Sequence, residues 1–256
     1  MSKPNLVSAV VPYIDATGRN VMVAIAKATW QIAGDTLVPS PKQAPIQYVD
    51  VHVDDDPLLD MWLPSDLTDF KPSAEVVVVR PRCPIDVVPF AGQTIAVQVG
   101  ELSFAGEAVE PWPFGPLRRS CDSRLQFAGT YDESWQQERM PLLPRDFDPR
   151  YHQVAPESQT LSRFLAGDEQ VSITGLLPEG ARTSFRLPGM TVLVSGSVRQ
   201  HYFSKTATLD TILIWSEVPA LTLVWRHVIP TRQKIAEVGS VAVSLIRVST
   251  ARSLYE

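Results

Sequence analysis

Two groups of residues have the types and spacing to do chemistry, and they point to different chemistry. His52 stands just before the run Asp54, Asp55, Asp56, and imidazole with carboxylate is a donor set for a divalent cation. In a strand, however, His52 and Asp54 share a face while Asp55 points away, and an acidic run at a strand end is the usual composition of a solvated turn. The other histidines, His152, His201 and His227, have no second His or Cys at ligand spacing. Ser195-Gly-Ser197 lacks the elbow motif of a hydrolase, and no glycine-rich loop matches a phosphate- or dinucleotide-binding fingerprint. A triad built in space escapes such inspection, so a hydrolytic or metal-dependent enzyme centred on His52 stays open as the alternative reading.

The second group lies between Gly129 and Arg150, where aromatic residues alternate with prolines and arginines. These are the residue types that dominate binding hot spots, and proline restricts the unbound loop, which lowers the entropy lost on binding. The candidate partner-binding residues are Tyr131, Trp135, Arg139, Phe147 and Arg150. Their plain structural role would be to plug the end of a sheet, with Arg139 and Arg150 pairing with Asp132, Asp146 or Asp148. Nothing in this set is catalytic, and none of it calls for a cofactor or a metal.

The elements that must position these residues are mostly strands. Val21 to Ile32 is apolar on both faces apart from Lys27, Thr29 and Gln31, which predicts a central strand turned back at Gly34 and Asp35. Val49, Val51 and Val53 line one face of a second strand, and Glu75 to Arg80 and Thr94 to Val99 read as neighbours in one sheet. Short strands follow around Val171, Phe185 and Val192, separated by turns at Pro178 to Gly180 and Pro188-Gly189. Thr208 to Ser216 and Ala220 to Val228 form a hairpin, with Leu209, Leu213 and Trp215 on one face and Leu221, Leu223 and Trp225 on that of the partner. A last strand covers Ser240 to Val248, and helix is expected only at Asp132 to Arg139 and around Leu161 to Leu165.

The fold expected is therefore mainly β, with antiparallel sheets in a sandwich-like arrangement. Two β-rich halves, 1–110 and 160–256, are joined by the proline- and aromatic-rich segment 111–159, and all three form either separate units or one domain. With 22 prolines and 13 glycines among 256 residues the connections are stiff. Cys83 and Cys121, the only cysteines, are far apart and fit a reducing cytoplasm without a disulfide or a cysteine-built metal site. The net charge of −5 and scattered basic residues disfavour nucleic acid. The apolar run in Met1 to Val11 is too short for a signal peptide, and no run is long enough to cross a membrane.

The stretch Gly129-Thr-Tyr-Asp-Glu-Ser-Trp135, then Glu138-Arg-Met-Pro-Leu-Leu-Pro-Arg-Asp-Phe-Asp-Pro-Arg150 and Tyr151-His-Gln-Val-Ala-Pro156, resembles the signature of the DUF2169 family. Ala26-Lys-Ala-Thr-Trp30, Ser65-Asp-Leu67, Phe70-Lys-Pro72, Phe114-Gly-Pro-Leu117, Phe185-Arg-Leu-Pro-Gly189, Leu209-Asp-Thr211 and Leu223-Val-Trp-Arg226 extend the resemblance over nearly the whole chain. A YERAFGG-like stretch usual before Phe114-Gly-Pro116 is missing, so the chain resembles a short member. The resemblance implies a bacterial, cytoplasmic adaptor or chaperone of type VI secretion, which holds a toxic effector and helps load it onto the secreted spike. It implies no cofactor and no catalysis; a structural component of the secretion apparatus is a further alternative.

Overall fold

The computed structural model describes residues 4–57, 59–88, 90–176 and 182–247; the turn read at Pro178 to Gly180 and the end of the last strand at Val248 lie outside the described residues. In chain order the strands are β1 (Val7–Ile14), β2 (Asn20–Ala33), β3 (Thr36–Pro39), β4 (Val51–His52), β5 (Met61–Leu63), β6 (Glu75–Val79), β7 (Thr94–Val99) and β8 (Leu102–Glu107). Two short helices follow, α1 (Asp122–Leu125) and α2 (Glu133–Glu138). Then come β9 (Gln170–Thr174), β10 (Thr183–Arg186), β11 (Met190–Val198), β12 (His201–Thr206), β13 (Thr208–Trp215), β14 (Ala220–Pro230) and β15 (Val238–Arg247).

The chain is mainly β, in several largely antiparallel sheets that do not close into a barrel. The principal sheet runs β1-β2-β14-β13-β6, with β3 folded onto the end of β2, and only its β13–β6 pair is parallel. A four-stranded sheet β10-β9-β7-β8 and a three-stranded sheet β12-β11-β15 pack against one of its faces. Both larger sheets take strands from before and after segment 111–159.

The pattern of β2 explains this layering. Ala24, Ala26, Ala28 and Trp30 point into the core shared with the two smaller sheets, whereas Val21, Val23 and Ile25 point to the opposite face. That second face is not solvated. Ile46 and Leu63 from one covering segment, and Val154 and Ala155 from the other, close over it together with Val77, Leu213 and Val224 of the sheet. A strand buried on both faces must be apolar on both, as β2 is.

Four readings of the sequence are corrected. β6 and β7 are not neighbours; β6 pairs with β13, and β7 lies between β8 and β9 in another sheet. Val49 is exposed and only Val51–His52 is strand, because the chain turns through left-handed Asp54 and Asp55. No helix forms at Leu161 to Leu165; the Leu161 N–H donates to Ala74 O (2.8 Å), which lays this stretch beside β6. Finally, Leu209 and Leu213 face opposite ways. A β-bulge places Asp210 between Leu209 and Thr211, so that Leu209, Ile212 and Ile214 share one face and Leu213 the other. The helix expected at Asp132 to Arg139 is present as α2, with Asp132 as its N-cap and Arg139 as its C-cap.

The free edge of β6 is covered by side chains. Trp112 Nε1 donates to Val78 O (2.8 Å), and Gln159, in the amide orientation that satisfies both its ends, donates to Val76 O (2.9 Å). An edge occupied in this way offers little to another strand.

Candidate functional site

On the second face of the principal sheet, each of four adjacent strands carries one charged residue inward: Lys27 on β2, Arg226 on β14, Asp210 on β13 and Glu75 on β6. All four are buried, as are Asp66 and Lys71 from the covering segment. They resolve into three pairs. Lys27 Nζ lies 2.9 Å from Asp66 Oδ2, Arg226 pairs with Asp210, and Lys71 pairs with Glu75. Burial pulls Lys27 below the ordinary lysine value, and Asp66 pulls it back. The pairs are linked further: Lys71 Nζ donates to Thr211 Oγ1 (2.9 Å), Thr211 Oγ1 to Asp210 Oδ1 (2.8 Å), and Arg226 Nη2 to Asp66 O (3.2 Å). Buried charges persist only when paired and hydrogen-bonded, so this set fixes how the covering layer sits.

Glu75 carries that order into segment 111–159. Its Oε2 accepts from the backbone N–H of Val154 (2.7 Å) and of Ala155 (2.9 Å). Upstream, Arg124 donates to Leu117 O (2.7 Å) and, through two nitrogens, to Tyr151 O. The segment is thus pinned at its end and in its middle before it presents anything outward.

His152 lies in this pinned region. Its ring packs 5.2 Å from that of Phe147, and Nε2 lies 3.9 Å from Asp69 Oδ1, too far for a hydrogen bond. Burial, reinforced by the cations Lys71, Arg119, Arg124 and Arg226, pushes its pKa down to about 3. The imidazole is therefore neutral at pH 7, and the spacing from Asp69 is not that of an ion pair. A folded-state value below the unfolded one means that the unfolded chain takes up the proton first, so stability is lost as the pH falls below about 6.5. Between pH 7 and 5 this histidine accounts for about 2 kcal/mol at most. The His152→Phe variant is expected to lose correspondingly less stability over that interval, measured by denaturant midpoints at both values; an unchanged pH dependence would remove His152 as its source.

The expected binding residues divide into two sets. Tyr131, Trp135 and Arg139 come together. The Tyr131 and Trp135 rings meet edge to face at 4.7 Å, and Trp135 Nε1 donates to Leu142 O (2.9 Å). Arg139 donates to Leu143 O (3.0 Å) and to Ala16 O in the β1–β2 turn (2.7 Å), so its fork is spent on holding the loop. Phe147 and Arg150 make other contacts. Phe147 stacks with Tyr151 and His152, while Arg150 pairs with Asp148 and covers the Phe127 ring at 4.1 Å.

Around Trp135 the surface is hollowed by about 300 Å³, between Thr130, Asp132, Ser134, Glu138, Arg139, Pro144, Arg145 and Asp146. Its rim is firm. Asp146 accepts from Thr130 N (3.0 Å) and Thr130 Oγ1 (2.7 Å), which hold its carboxyl below the usual range. Gly129, at φ +80°, permits this closure, because a Cβ there would come within 2.8 Å of Pro144. Tyr131 remains 53 % exposed and Met140 60 %. Met140 lies outside the binding residues expected from the sequence; the signal for it was its place directly before Pro141 within the aromatic- and proline-rich stretch.

The other candidates stay dispersed. His52 Nδ1 is 3.1 Å from Leu59 O, and among the described residues no group of three His, Cys, Asp or Glu could hold a metal ion. Ser195 and Ser197 face Ser204 and Tyr202 across β11 and β12. Cys83 and Cys121 are free thiols. Among the described residues no helix is long and apolar enough to cross a membrane.

Compared with known proteins, residues 17–105 and 103–226 match the family model described as an uncharacterized protein conserved in bacteria, DUF2169. No curated protein and no solved structure matches the chain.

Proposed function

Because the chain belongs to the DUF2169 family, we propose that it is a binding protein, an adaptor that holds a toxic effector of the type VI secretion system in the bacterial cytoplasm and assists its loading onto the spike. The observation that carries this reading is the hollow at Trp135, with the exposed Tyr131 ring set edge to face on Trp135 and the exposed Met140 hydrogen-bonded through its N–H to Trp135 O, on a segment pinned from below by Glu75 and Arg139. Aromatic and Met side chains are enriched in interface cores, and a rigid mount lowers the entropy cost of binding. The effector would cover Tyr131 and Met140 with apolar area, and Asp132, Glu138 and Arg145 at the rim would select among partners.

The test is to sequence the adjacent reading frames, coexpress the product of any that encodes a toxin-like protein with this chain, and follow with affinity capture and titration. The double variant Tyr131→Ala/Met140→Glu is expected to weaken capture by roughly 30-fold or more, the scale of a lost hot spot, while its melting temperature stays near that of the parent. Unchanged affinity would make the loop structural only. No association between the parent protein and its gene neighbour would defeat the adaptor reading itself.

A further inference from the structure

The edge formed by β12 differs from that of β6, because among the described residues nothing hydrogen-bonds to its outer backbone. β12 is the outer strand of the β12-β11-β15 sheet, and its residues are exposed apart from Phe203. The hairpin from β11 turns through Arg199 and Gln200, both at positive φ (48° and 69°), which matches the tight two-residue turn that keeps paired strands in register. Ala207 N donates to Val192 O (2.8 Å), so the ladder places Ala207, Lys205, Phe203 and His201 in the hydrogen-bonded pairs with β11. By alternation, the N–H and C=O groups of Tyr202, Ser204 and Thr206 point away from β11, outward along the edge.

The side chains along this edge suit one occupant in particular. Tyr202, 91 % exposed, stands with Ser204 and Thr206 on the outer face beside Ser195 and Ser197 of β11, a row without charge. Phe203 and Lys205 stand on the inner face, where Gly196 leaves room for the Phe203 ring; a Cβ there would meet it at 3.2 Å. If a second β12 runs antiparallel about a two-fold axis through Ser204, then Ser204 faces Ser204 and Tyr202 faces Thr206. All three outward residues of each strand are then used, for about six backbone hydrogen bonds. In that register Lys205 meets the Phe203 ring of the other copy, a favourable cation and aromatic pair. Moving the axis one residue toward Lys205 would oppose the two lysines, and moving it one residue toward Phe203 would bring Lys205 against His201 and leave fewer bonds. The register through Ser204 thus uses the most backbone groups and keeps the two lysines apart.

We propose that a second copy of this chain docks along β12 about this axis, joining the two three-stranded sheets into one continuous sheet with Ser204 at its centre. The contact is isologous and closes on itself, so it gives a dimer and not a filament. It leaves the Trp135 hollow on segment 111–159 uninvolved, and stands or falls independently of the adaptor reading.

Sedimentation of the full chain over a concentration series, from about 1 to 200 µM, tests it. The parent is expected to shift from monomer to dimer mass. Ser204→Pro removes an outward N–H without touching the ladder to β11, where an edge proline is tolerated, and is expected to weaken dimerisation at least tenfold. Should that variant fold poorly, a cysteine trap decides. In a Cys83→Ser/Cys121→Ser background, Ser204→Cys is expected to oxidise to a covalent dimer, whereas Ser195→Cys, one strand further in, is not. A parent that stays monomeric throughout overturns the proposal. So does a dimer that forms equally well in a folded Ser204→Pro chain, or an equal yield of cross-link from Ser195→Cys.

Discussion

Replacing Asp210 by Ala is expected to cost about 3–5 kcal/mol of folding stability, which for a chain of this size lowers the melting temperature by about 10 °C. The loss does not come from the pair's attraction alone. Among the described residues Arg226 would keep one carbonyl contact, from Asp66 O, and its Nε already lacks a hydrogen-bond partner. An uncompensated guanidinium in that position is the large term. Arg226→Met is expected to cost a similar amount, since among the described residues it leaves the Asp210 carboxylate with a hydrogen bond from Thr211 alone. The double variant Asp210→Leu/Arg226→Met should recover much of the loss, because a well-packed apolar pair can match a buried ion pair. Denaturant unfolding of the four proteins in the cycle provides the measurement. Additive costs, with the double variant as unstable as the two singles combined, would show that Asp210 and Arg226 act separately.

These residues also mark what could and could not be read from the sequence. Apolar alternation located β2, β7 and the β13–β14 hairpin, because each buries at least one face and the period of two is a local property. The bulge at Asp210 was hidden. It adds a single residue that no local pattern distinguishes from a regular strand, and it turned Leu213 away from Leu209. The partner of the bulged residue lies across the sheet, where Asp210 pairs with Arg226 on the next strand. Pairing of β6 with β13 was hidden for the same reason: sheet neighbours separated by more than 120 residues leave no local trace. A signal for the buried network was present all the same. Lys27, Glu75, Asp210 and Arg226 are each the single Lys, Arg, Asp or Glu of a mostly apolar strand, which calls for a buried partner. At the surface, residue type pointed to Tyr131 and Trp135 as binding residues, and the fold brings their rings into contact. It could not tell that Arg139 would be spent on Ala16 O and Leu143 O, since arginine has the same composition whether it binds a partner or its own loop.

Glu75→Gln should have an effect of comparable size, with a different spatial signature. The two side chains are alike in shape, so the substitution leaves no cavity. Both carboxylate oxygens of Glu75 act only as acceptors, one toward Lys71 and the other toward the Val154 and Ala155 amides. Glutamine offers one oxygen and one NH2 group. Whichever way it turns, a donor meets a donor, at the Lys71 ammonium or at two backbone N–H groups. Removing one partner of a buried charged pair costs about 3–5 kcal/mol. Here the consequence should be concentrated where segment 111–159 is tied to the sheet, since Val154 and Ala155 also close over its second face. Amide hydrogen exchange is expected to accelerate at Val154 and Ala155 well beyond the change in β2 and β14, and limited proteolysis should cut earlier between Gly129 and Pro156. If the anchoring feeds the binding surface, Glu75→Gln also weakens effector capture although Glu75 is fully buried and far from solvent. Exchange that speeds up evenly across the whole chain would instead mean that Glu75 supports the fold at large and has no special hold on the segment.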